Sequence, residues 1–175
     1  YFSSFAADNL GNIYPITTDN QLKKYNTKGD SMGVFNNLRK YGKLSYIDVT
    51  NPLKTLLFYK DFRTILVLDR FLNVVNNIDL RKQNVFQVRA IALAYDNNIW
   101  VFDEQDSQLK KIGEDGRFIS GTADLRLVLD EAPVPVSIFD QNGYVYLYDP
   151  QKGMYVFDYY GALKVKLSLL NWTDV

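Results

Sequence analysis

The sequence predicts an all-β fold made of four consecutive four-stranded antiparallel sheets. Three observations carry that expectation: an internal repeat of about 44 residues, short apolar and aromatic runs of strand length, and turn residues recurring where those runs stop. The aromatic residues Tyr14, Phe58, Trp100 and Tyr146 each close an apolar pair and are spaced 44, 42 and 46 residues apart. One strand later, Tyr25, Leu68, Ile112 and Phe157 follow at spacings of 43, 44 and 45. Two markers drifting together make chance alignment a poor explanation.

A turn comes next in every repeat, at residues 26–29, 69–72, 113–116 and 158–161, and three of the four end in Gly. Glycine takes the left-handed backbone such turns need without steric cost. The third repeat displays the strands most plainly. Residues 90–94 (Ala-Ile-Ala-Leu-Ala) form a small-residue inner strand, and Asp96-Asn97-Asn98 makes the turn. Residues 99–103 and 108–112 are the next two strands, and residues 117–121 begin the fourth. The fourth repeat follows suit at 136–139, 144–149, 153–158 and 163–169. The first opens at residues 3–7 and the second near residues 44–49, with Asn51-Pro52 as its turn. The blades are thus expected near 3–38, 44–80, 90–125 and 136–170, in a single β-propeller domain over 1–175. A β-sandwich with coincidental spacing is the structural alternative.

Four blades make a small ring. The tail, residues 171–175, reads as an outer strand leading to another inner strand, so the chain is expected to continue C-terminally into a larger ring. It opens on Tyr1 rather than Met, so a preceding segment is expected as well.

Composition narrows function. Lys plus Arg and Asp plus Glu both number 20, so the formal net charge is zero, which argues against a general nucleic-acid binder. There is no Cys and no His, which removes thiol chemistry, thiolate metal sites and every Ser-His-Asp or Cys-His arrangement in these residues. No apolar run reaches the ~18 residues of a membrane span. Asp69, Asp103, Asp149 and Asp158 fall at strand ends. Two carboxylates could serve a glycosidase, but Asp is also the ordinary turn residue, bonding its own backbone. Residues 103–107 (Asp-Glu-Gln-Asp-Ser) offer clustered oxygens for calcium but lack the spacing and central Gly of an EF-hand loop, so a solvated acidic loop is expected. No cofactor is expected. Asn171-Trp172-Thr173 fits a glycosylation sequon. Tyr144, Tyr146 and Tyr148 alternate at strand period, as packing residues do.

In a propeller, the loops joining strands two and three share a face with the links between blades. In the first half of the chain and its boundary, that face carries Arg39, Lys40, Tyr41, Lys60, Phe62, Arg63, Arg81, Lys82 and Phe86, with Arg89 nearby. In the second half it carries Asp103, Glu104, Asp106, Asp130 and Glu131. Arginine interleaved with aromatics is the composition of interface hot spots, so the first nine residues are candidates for partner binding. Solvated loops, or opposite charges pairing across the ring, are the plainer explanations.

The small-residue inner strands and Asp/Asn-Gly turns resemble propellers of the NHL and YVTN type, over nearly the whole chain. That resemblance implies a protein- or ligand-binding platform. Some relatives of that kind are His- and metal-dependent lyases or lactonases, from which a His-free chain departs. The richness in Asn, Lys, Tyr and Phe, with segments such as Leu-Gly-Asn-Ile-Tyr (10–14) and Asn-Asn-Ile-Trp (97–100), is similar to that of bacterial envelope propellers, including components attached to the type IX secretion machinery such as a plug subunit. This implies a non-enzymatic, periplasmic subunit docking on a protein partner, an outer-membrane translocon among the options. A carbohydrate-active or calcium-dependent enzyme and a passive scaffold are the competing expectations.

Overall fold

The computed structural model describes residues 1–168 and 170. The expected tail strand and the sequon lie outside the described residues. The chain divides into two compact units, Tyr1–Leu80 and Arg81–Val175.

In the first unit, β1 (Phe2–Ala7), β2 (Ile13–Thr17), β3 (Leu22–Tyr25) and β4 (Ser31–Phe35) form one antiparallel sheet in chain order. A second sheet follows from β5 (Tyr46–Asn51), β6 (Lys54–Tyr59), β7 (Thr64–Asp69) and β8 (Val74–Asp79), again in chain order. The two sheets share one core. Tyr14, Leu22 and Phe35 of the first blade meet Leu57, Tyr59, Leu66 and Leu68 of the second, with Leu38 from the connecting link and Leu72 from the last turn. Residues alternate faces along a strand, so each blade spends one face on its neighbour.

The second unit repeats the arrangement with β9 (Val88–Leu93), β10 (Ile99–Asp103), β11 (Gln108–Ile112) and β12 (Phe118–Gly121), then β13 (Ser137–Gln141), β14 (Tyr144–Asp149), β15 (Gly153–Asp158) and β16 (Leu163–Leu167). Its core joins Trp100, Phe102 and Leu109 to Val145, Leu147, Tyr155 and Phe157. The alanines of β9 now have a reason: Ala90 stands opposite Phe102 and Ala92 opposite Trp100 in the register. A small residue beside each ring leaves the room that the ring fills. The tyrosine stripe packs as expected in part: Tyr148 is buried with Met154 and Val156, and Phe139 and Tyr146 pack against them, while Tyr144 is exposed.

Expected strand limits hold to within one or two residues, β9 starting at Val88 rather than residue 90 and β16 ending at Leu167. Two short helical pieces escape the sequence pattern, a 3-10 turn at Leu80–Gln83 and a single α-turn, α1 (Leu125–Val128), capped by the Asp124 side chain. Both are one turn long, too short to show helical periodicity.

The recurring β3–β4 type turn explains the repeat. Asn26, Asp69 and Asp158 each accept two backbone N–H groups through Oδ1, from residues two and four further on. Three residues after each of these the backbone turns left-handed, at Gly29 (φ 85°), Leu72 (φ 65°) and Gly161 (φ 87°), and Gly116 (φ 85°) takes the same place in the third blade. Leu72 breaks the glycine rule because its side chain is fully engaged in the core, 2% exposed. At the third blade's Gly113, Asp115 supplies the capping oxygen instead, accepting from the Arg117 N–H.

Candidate protein-docking surface

In the first unit, the link between blades (residues 36–45) and the β6–β7 loop (residues 60–63) form one continuous surface. The Ser45 N–H donates to the Phe58 carbonyl at 2.9 Å, and the Lys60 N–H donates to Ser45 Oγ at 3.1 Å. Gly42 is left-handed (φ 84°), and the Phe62 ring lies so close that a Cβ there would sit 2.9 Å from it. Any side chain at 42 would push the ring off. The ring is still half exposed, at 50%.

Six of the nine expected residues meet here: Arg39, Lys40 and Tyr41 on the link, Lys60, Phe62 and Arg63 on the loop. Tyr41 is partly structural. Its ring lies 5.6 Å from that of Tyr59, its hydroxyl accepts from Asn77 Nδ2 at 2.7 Å, and Lys40 Nζ stands 5.5 Å from its ring centre. Arg63 holds a left-handed backbone (φ 50°), with its carbonyl accepting from the Leu80 N–H. The side chains of Arg39, Lys43, Lys60 and Arg63 make no hydrogen bond or ion pair among the described residues. Lys43 was not among the expected residues, although its place two residues past Tyr41 in the same link was a usable signal. The other three expected residues belong to the second unit. Arg81 and Lys82 are exposed on the 3-10 turn, and Phe86 is 38% exposed before β9.

Beside the basic link lies a cavity of about 510 Å³, within the range of small-ligand sites. Buried Leu38 and half-buried Ile16 and Leu44 supply its apolar lining. Arg39 and Lys43 bring two cations, while Ser3 and Ser4 of β1 and Asn20 of the β2–β3 loop bring neutral polar groups.

The second unit treats its charges differently. Lys110 Nζ donates to Asp103 at 2.7 Å and also to Asp106. Asp103, expected on a solvated acidic loop, is instead 1% exposed, because its oxygens are taken by Lys110 and the Gln105 N–H. The loop therefore carries its own cation. Burial pulls the Lys110 pKa down, but the hydrogen bonds it donates to Asp103 and Asp106 outweigh it and leave the pKa raised. Arg89, grouped with the basic half of the face, pairs with Glu104 at 3.0 Å. Arg126 pairs with Asp124 and Lys164 with Asp158. Opposite charges pair locally within hairpins and turns of this unit.

Lys111 occupies an aromatic cage that the sequence did not announce. Its Nζ lies 4.9 Å from the Tyr95 ring centre, 5.1 Å from Trp100 and 5.8 Å from Tyr159, and donates to Asp96 at 2.5 Å. Asp140 fixes two walls of the cage, accepting from Trp100 Nε1 at 2.8 Å and from the Tyr159 hydroxyl at 2.6 Å. Strand periodicity had given no reason to bury a lysine there. The recurrence of Lys-Lys at 23–24 and 110–111 was the available signal, since Lys24 is buried too, donating to the Pro52 carbonyl at 2.7 Å.

The four strand-end aspartates serve as turn residues. Asp149 accepts from the Val134 and Gln151 N–H groups, both at 2.8 Å. For Asp69, burial raises the pKa but hydrogen bonds from Asn73 and the Phe71 N–H bring it below the usual carboxylate value. Asp158 is lowered chiefly by its hydrogen bond from Lys164.

The class this architecture defines is the β-propeller of four-stranded antiparallel blades. Within that class, solved structures of similar fold include a streptogramin B lyase (TM-score 0.64, 16% identity, covering 91% of this chain and 52% of that one). Also similar is a catalytically inactive variant of virginiamycin B lyase from Staphylococcus aureus with quinupristin (TM-score 0.66, 11% identity, covering 94% and 55%). A third is a protein of unknown function from Bacteroides caccae (TM-score 0.58, 13% identity, covering 96% and 61%). The chain spans about half the length of the lyases it matches. No protein-family model matches the sequence, and no curated protein matches it.

Proposed function

We propose that this chain is a non-enzymatic propeller segment that docks a protein partner through the basic–aromatic surface of its first unit. The observation that carries the reading is the contrast in charge use. Arg39, Lys43, Lys60 and Arg63 stand unpaired among the described residues, near the half-exposed Phe62, whereas Arg89, Lys110, Lys111, Arg126 and Lys164 of the second unit each pair with a carboxylate of the same unit. An unpaired arginine beside an exposed ring is well suited to an interface, where it gains hydrogen bonds without first breaking others. The partner this surface suits is acidic. The reading extends to a bacterial envelope assembly, with a secretion translocon as the partner to test first, on the compositional resemblance described above.

Arg39→Glu, Lys60→Glu and Arg63→Glu together are expected to abolish capture of the translocon subunits from source-cell membranes while the circular dichroism stays unchanged. Undiminished capture by the triple variant would rule this surface out as the dock.

The lyases of similar fold raise streptogramin cleavage as a second reading. The inactive lyase variant replaces a histidine by alanine, and these 175 residues contain no histidine. Incubation with quinupristin is expected to leave it intact.

A further inference from the structure

We infer that the cavity beside the basic link is a subsite for a carboxylate flanked by an apolar side chain, presented by an acidic peptide segment of the docked partner. The inference rests on the docking reading and adds the chemistry of what is read. Most of the polar groups around the cavity can donate and have no acceptor of their own. Arg39, Lys43, Ser4 and Asn20 have no side-chain partner among the described residues. Ser3 has already donated its hydroxyl proton to the Ile16 carbonyl at 3.1 Å. Among the described residues no Asp or Glu lines the cavity. Two cations with no acidic residue in the lining favour an anion, and a carboxylate, which accepts at both oxygens, suits a guanidinium and an ammonium on one cavity wall.

The remainder of the lining is apolar, from Leu38, Ile16 and Leu44, so a bare inorganic anion would leave it unfilled. A peptide bearing an acidic residue next to Leu or Val satisfies both parts. The first unit as a whole has the matching sign, with ten Lys and Arg against seven Asp, and no Glu.

The test is an NMR titration of the chain with acetyl-Leu-Glu-Val-amide and with the uncharged acetyl-Leu-Gln-Val-amide. The Glu peptide is expected to shift the amide signals of residues 38–44 and of Ser3 and Ser4, with a Kd of about 1 mM or tighter. The Gln peptide is expected to bind at least ~10-fold more weakly, the loss typical of a missing charge-assisted hydrogen bond. Arg39→Gln with Lys43→Gln should erase the difference between the two peptides. Equal binding of both peptides, no binding of either, or shifts confined to other residues would overturn the subsite. Lys60→Glu with Arg63→Glu separates the two claims. It leaves peptide binding intact if the subsite is right, whereas loss of peptide binding would overturn it; partner capture, read separately on the Arg39→Glu, Lys60→Glu and Arg63→Glu variant, decides the docking reading.

Discussion

At Lys110 the balance between burial and pairing is sharpest. Its ammonium is held between Asp103 and Asp106, and Asp103 is itself buried. Removing one member of a buried pair strands the other, which costs about 3–5 kcal/mol, whereas replacing both with apolar groups of similar size is often neutral. Lys110→Met should therefore destabilise the chain by that amount, and adding Asp103→Leu should recover much of it, as read by urea denaturation. The Lys110 pKa is raised in the folded state, above the ordinary 10.5. Its contribution is then full below that value and is lost as pH rises through the higher folded value, so stability should fall above about pH 10.5 and the fall should vanish in Lys110→Met. A second residue runs the other way. The Tyr59 hydroxyl is buried without a hydrogen-bond partner among the described residues. An unmet buried polar group costs ~1–3 kcal/mol, so Tyr59→Phe should hold or raise the melting temperature. A loss of more than about 1 kcal/mol would mean the hydroxyl is bonded.

Among the elements, the β3–β4 turn and its relatives made the repeat legible. Asn26, Asp69 and Asp158 cap their turns with the same two backbone bonds, and that local chemistry is written in the residues themselves. What the sequence could not show was chemistry between strands. The burial of Asp103, the cage around Lys111 and the local pairing of Arg89 depend on which side chains the register brings together, and charge type alone reads as solvent-facing. The proposed docking residues were legible only as loop positions, and the lack of side-chain partners at Arg39, Lys60 and Arg63 among the described residues became visible once the surrounding side chains were placed. Leu72 offers a test of the turn account. Leu72→Ala removes core packing, at ~2–5 kcal/mol, and keeps the left-handed strain. Leu72→Gly loses the same packing but relieves that strain, so it should be the more stable of the two by about 1 kcal/mol. The reverse order, the usual one for Ala and Gly in regular backbone, would mean the turn carries no strain.

For the molecule as a whole, the repeat distributes charge unevenly. The Tyr1–Leu80 unit carries a net +3 and the Arg81–Val175 unit a net −3, although the chain sums to zero. An interaction through exposed cations is screened by salt, whereas one through packed apolar surface is not. Partner capture should thus weaken steeply between about 0.05 and 0.5 M NaCl, over which the Debye length shrinks from about 14 to about 4 Å. The most direct test of the account sets wild type against the Arg39→Glu, Lys60→Glu and Arg63→Glu triple variant in capture from source-cell membranes, with both proteins first matched by thermal melting. Loss of the partner by the variant, at an unchanged melting temperature, is the predicted result. Equal capture by the two proteins would contradict the assignment of this surface.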